Sequence, residues 1–94
     1  MITPAQVRMA RAALGWGVRQ LSTKAGVATN TVSRFENGFG AMVETVARIQ
    51  SALENAGMIF IAAYQTGGPG VRFRENPIDR PRRKRSNKIY AAQK

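Results

Sequence analysis

The chain has 94 residues, 15 of them Lys or Arg and five Asp or Glu, for a net charge of +10. Its length suffices for one small domain, and its charge favours a polyanionic partner. The absence of His and Cys excludes metal sites of the His/Cys type, His-based or thiol catalysis and a disulfide framework, so neither an enzyme nor a metal or other cofactor is expected.

Thr3, Pro4 and Gln6 mark the first helix start. Thr3 suits the N-cap, Pro4 the first helical position, and Gln6, three residues on, completes a capping box. The helix should reach Leu14, with Val7, Ala10 and Leu14 facing inward and Gly15 at its end. Trp16 reads as a core residue, with a surface anchor as the alternative.

Residues 18–38 read as two short amphipathic helices joined by a glycine turn. Leu21 and Ala25 share one face of a helix from about Val18 to Ala25; Gly26 ends it, and Val27 plugs the space between the pair. At about 100° per residue the second helix divides into an arc of Thr31, Val32 and Phe35 that packs and an arc of Thr29, Asn30, Ser33, Arg34 and Asn37 that faces out. Asn37-Gly38 supplies the stop. The outer arc consists of hydroxyls, amides and one arginine, which suits hydrogen bonding to base edges in a major groove. The bland alternative is an ordinary pair of helices with a solvated polar face.

This segment resembles the lambda-repressor/Cro-like (XRE-type) helix-turn-helix transcriptional regulators, on the Ala25-Gly26-Val27 turn and the Glu36-Asn37-Gly38 ending. ITPAQ at 2–6, LGW at 14–16, ALENAGMIF at 52–60 and GGPGVRFR at 67–74 extend the similarity, over residues 2–74, to small bacterial members that end in a β-hairpin. The resemblance implies double-stranded DNA as partner, with Thr29, Asn30, Ser33 and Arg34 on the base-reading edge and Ala28 adding an apolar touch. Asn37 matches a phosphate-holding position, and Arg11 and Glu36 match a largely buried structural ion pair. The chain also departs from the family. Val18 stands where Gln commonly grips a phosphate, leaving backbone N–H groups to do so. Gly17 and Ala28 replace common Ser residues, the latter at an N-cap, a loss on the order of 1 kcal/mol unless Thr29 takes over. The loop of residues 39–43 has no basic side chain, so phosphate contacts are expected to move to Arg8, Arg19, Lys24 and the C-terminal tail.

A longer helix follows from about Val43 to Ala56, with Val46, Ile49, Gln50 and Leu53 inward and Gly57 as terminator. Residues 58–64 then read as a strand, Gln65 to Pro69 as a turn, and Val71 to Arg74 as a second strand with its arginines on one face. The first strand is apolar on both sides: Met58, Phe60, Ala62 and Tyr64 on one, Ile59, Ile61 and Ala63 on the other. A lone hairpin is marginal in water. Met58, Ile59, Phe60, Ile61, Val71 and Phe73 are therefore expected to form a homodimer interface, unless both faces are covered within one chain.

From residue 75 periodicity is lost, and the charge is concentrated there: residues 1–70 hold six basic and three acidic side chains, residues 71–94 nine and two. Pro77, Pro81 and the cluster Arg80, Arg82, Arg83, Lys84, Arg85 and Lys88 suggest a disordered tail, read either as solvated chain or as an arm that tracks DNA phosphates.

The expected fold is mainly α: a four-helix lambda-repressor-like DNA-binding domain over residues 1–57, a hairpin over 58–74 and a basic tail over 75–94. The expected function is transcriptional regulation by a homodimer on an inverted-repeat operator, with RNA polymerase or another regulatory protein as a further admissible partner. Two rivals stay open: an architectural factor for recombination, and a protein-interaction module such as an antitoxin or anti-activator. No apolar run approaches the about 18 residues of a membrane span and nothing resembles a signal peptide, so a cytoplasmic, nucleoid-associated protein is expected.

Overall fold

A computed structural model describes residues 1–77, in which four helices are followed by a two-stranded antiparallel hairpin, a mainly α arrangement. α1 (Pro4–Leu14) begins as its sequence dictates. The Thr3 hydroxyl accepts from the Gln6 N–H at 3.1 Å, and the Gln6 side-chain oxygen accepts from the Thr3 N–H at 2.9 Å, closing the capping box.

α2 (Val18–Ala25) and α3 (Thr29–Glu36) have eight residues each, too few to persist in water on propensity alone. Burial supplies what propensity lacks: Leu21, Val32 and Phe35 sit in the core, and α2 packs on both α3 and α4. Gly26, at φ 72°, reverses the chain between α2 and α3 in a conformation that costs a residue with a Cβ. α4 (Val43–Asn55) ends one residue short of the expected Ala56, which serves instead as its C-cap. Val46, Ile49 and Leu53 are buried as the spacing predicts, and Ala52 joins them. Gln50 is only half-buried and donates to Glu54 on the next turn. Trp16 is half-buried against the core, as the core reading expected.

β1 (Met58–Ile61) pairs with β2 (Gly70–Phe73) in the register Met58 to Phe73 and Ile61 to Gly70. The expected strand over 58–64 is therefore shorter: Ala62 and Ala63 are exposed outside it, and Tyr64 forms only an isolated bridge with Gly67. At that end of the ladder the Gln6 amide of α1 donates to the carbonyls of both Ile61 and Gly70, at 3.0 and 2.9 Å, and so ties the hairpin to the first helix. At the other end Arg74 lies just beyond β2; its N–H bonds to the Gly57 carbonyl and its guanidinium donates to the Glu54 carbonyl at the C-terminus of α4. The last carbonyls of a helix attract such a cation.

The alternation of the strands divides the hairpin into two unlike faces. Met58 is 1 % exposed, inside the chain's own core, while Phe60 and Val71 are half-buried against that core. Met58 is thus not available as a dimer contact, which corrects the sequence expectation, and Phe60 and Val71 are largely committed within the chain. On the opposite face Ile59 is half-buried beside Arg72 and Ile61 is 37 % exposed, while Phe73, opposite Met58 at the end of the inner face, is also 37 % exposed. The reason is supply: α1 and α4 offer one apolar surface to the hairpin, which covers one of its faces. Among the described residues, no helix is long and apolar enough to cross a membrane.

Candidate nucleic-acid interface

Neither helix of the central pair has a side-chain cap. Gly17 before α2 and Ala28 before α3 make no capping bond, and Thr29 does not replace Ala28. Its hydroxyl instead lies 3.0 Å from that of Ser22, which is buried and also donates to the Arg19 carbonyl at 2.8 Å. Ser22, which the sequence reading passed over, therefore ties the start of α3 to α2. The N–H groups of both first turns, including those of Val18 and Arg19, lack the side-chain acceptor that commonly satisfies them, and such groups suit an anionic oxygen.

The structure places most of the outer-arc residues together. Ala28, Thr29, Asn30, Arg34 and Asn37 are exposed along α3 and its ends, and Ser33 is half-buried. This leaves Asn30 and Arg34, one turn apart on one edge, with amide and guanidinium groups accessible. Thr29 is exposed while its hydroxyl faces Ser22. The opposite side of α3 is closed by Val32, Phe35 and Glu36, all buried.

The cations expected to meet phosphates are less uniform. Arg19 is exposed in the first turn of α2. Lys24, also exposed, lies in the last turn of α2 with its ammonium 5.7 Å from the centre of the Trp16 ring. Arg8 is exposed but donates to the Glu36 carbonyl at the end of α3, which anchors it between α1 and α3. Val18 is half-buried against the core and can offer only its backbone. Arg80, Arg82, Arg83, Lys84, Arg85 and Lys88 lie outside the described residues.

Beneath the exposed edge, Arg11 and Glu36 form a bidentate pair. Arg11 Nε donates to Glu36 Oε2 at 2.7 Å and Nη2 to Oε1 at 2.8 Å, while Nη1 donates to the Trp16 carbonyl at 3.0 Å. The hydrogen bond to Glu36 raises the already high pKa of Arg11; burial opposes the rise and the neighbouring negative charge adds to it. The pair joins α1 to the last residue of α3.

Two further features were not foreseen. The loop after α3 and the start of α4 expose Phe39, Met42 and Val43 in place of basic side chains, and the centre of the Phe39 ring lies 4.6 Å from the Arg34 guanidinium carbon. Among the described residues, no group of three or more His, Cys, Asp or Glu side chains could hold a metal ion. Neither a family model nor a curated protein matches the chain.

Proposed function

We propose that this chain is a sequence-specific double-stranded DNA-binding protein of the lambda-repressor/Cro-like kind that regulates transcription as a homodimer. One observation carries the reading. α3 is packed on one side by Val32 and Phe35 and leaves Asn30 and Arg34 exposed together on the other, after an uncapped first turn beside an uncapped α2. In a major groove an Asn amide suits adenine N6 and N7, an Arg guanidinium suits guanine O6 and N7, and the Thr29 methyl suits a thymine methyl. Arg19 and Lys24 flank this edge on α2 as phosphate partners, and the basic tail adds affinity without sequence preference.

Selection of binding sites from a random DNA pool tests the proposal directly. The expected product is a recurrent motif; recovery of the starting distribution overturns the reading. Within the selected site, Arg34→Ala should cost about 1 to 3 kcal/mol at one base pair and leave binding to random DNA nearly unchanged. Fluorescence anisotropy on a set of single base-pair variants measures this, and equal weakening on every duplex would remove Arg34 from the base-reading set.

Dimerisation through the hairpin rests on Ile59 and Ile61, which keep apolar surface on its outer face, and on Phe73, exposed at the end of the inner face, in a two-stranded sheet with open edges. A two-fold dimer would bring two copies of α3 to half-sites about one helical turn apart on an inverted repeat. Ile61→Lys should shift the protein from dimer to monomer or to insoluble material in light scattering, with the wild type a dimer at the same concentration. A wild type that scatters as a soluble monomer and binds a single half-site would dismiss the dimer.

A further inference from the structure

The end of α3 does more than stop the helix. Asn37 is its C-cap, Gly38 takes φ 93°, the Gly38 N–H donates to the Phe35 carbonyl at 3.0 Å and the Phe39 N–H donates to the Arg34 carbonyl at 3.0 Å. This is a Schellman motif, a hydrogen-bond pattern that brings the residue two beyond the cap against the residue three before it, where a hydrophobic contact commonly forms. Those residues are Phe39 and Arg34, so backbone geometry alone delivers an aromatic ring to the arginine at the centre of the exposed edge. Only Gly38 makes this reversal without strain, because the turn needs positive φ.

We propose that Phe39 is a specificity-positioning residue, which holds the Arg34 guanidinium by its face and leaves the N–H edge free to meet a base. This rests on the DNA-binding reading of α3 and deepens it. The ring is 54 % exposed and the guanidinium carbon is 4.6 Å from its centre, within the range at which a cation is attracted to an aromatic face. A free arginine side chain loses rotamer freedom when it orders on a base. One already stacked has lost part of that freedom, so more of the contact energy becomes discrimination. Phe39 needs no base contact of its own for this role. The geometry also accounts for an aromatic residue in a loop that contributes no cation to DNA.

The test combines binding with a measurement made without DNA. In the free wild-type protein the Arg34 side-chain protons should show upfield ring-current shifts by NMR that vanish in Phe39→Ala and persist in Phe39→Trp. On the selected duplex, Phe39→Ala should lose about threefold to tenfold in discrimination at the base pair that Arg34→Ala relaxes, with random-DNA affinity unchanged. Phe39→Trp should restore it, and Phe39→Leu, which keeps an apolar cap contact but no ring, should not. The Arg34→Ala/Phe39→Ala double variant should discriminate no worse than Arg34→Ala alone. Full discrimination in Phe39→Ala, or the absence of ring-current shifts from the wild type, would overturn the positioning role and leave the DNA-binding reading standing. Equal loss on all duplexes, or additive loss in the double variant, would overturn it in favour of a direct contact. A wild type with no sequence preference would overturn both readings.

Discussion

Arg11→Met should destabilise the fold by about 3 to 5 kcal/mol, because it leaves the Glu36 carboxylate without a partner in a nearly dry setting. The two members of the pair are not equivalent: the side chain of Glu36 is 6 % exposed and that of Arg11 is 22 % exposed. An abandoned Arg11 can turn part of its guanidinium to water, whereas an abandoned Glu36 cannot. Glu36→Gln, which keeps the shape and one acceptor for Arg11, should therefore do less damage, about 1 to 3 kcal/mol. Replacing both by apolar residues, as in Arg11→Met/Glu36→Leu, should recover most of the loss, since no charge is then left buried alone. Urea denaturation followed by circular dichroism gives these values. If Arg11→Met and Glu36→Gln lose less than about 0.5 kcal/mol, the pair behaves as an ordinary surface ion pair.

Gln6→Leu should cost about 2 to 4 kcal/mol, the second largest effect, although it puts an apolar side chain into a site that is 3 % exposed. Three backbone groups lose a hydrogen bond at once: the Thr3 N–H and the carbonyls of Ile61 and Gly70. Gln6→Glu should be at least as harmful. Its carboxylate can still accept from Thr3, but it turns a second acceptor toward two carbonyls and brings a charge into the interior. Denaturation again measures the size, and hydrogen exchange locates it: protection should fall first in β1 and β2. Wild-type stability in Gln6→Leu would mean that packing alone holds the hairpin to α1.

These two side chains show where sequence reading succeeds and where it stops. Gln6 is visible in the sequence as a capping residue, since Thr3 lies three positions away and the chain itself brings them together. Its grip on Ile61 and Gly70 spans 55 and 64 residues, and no local pattern encodes it. Arg11 and Glu36 were expected to pair only through resemblance to other proteins, for nothing within either helix indicates the other. Phe39 was legible in principle, because a glycine after an Asn at the helix end signals the reversal that sets Phe39 on Arg34. Ser22 carried no signal of that kind, because a lone serine in a short helix most often bonds to its own backbone or to water.

The sequence by itself determined the four helices, the glycine at the turn between α2 and α3, and the exposed edge of α3. Capping and amphipathic spacing act over three or four residues, so the pattern that places the helices is local, although the eight-residue α2 and α3 persist only because the core covers them. Only the tertiary structure decided that Met58 points inward, that β1 ends at Ile61, and that Ile59 and Ile61 keep the outer face. The strand is apolar on both sides, so its own pattern ranks neither. The surface offered by α1 and α4, together with the two hydrogen bonds from Gln6, selects the buried face.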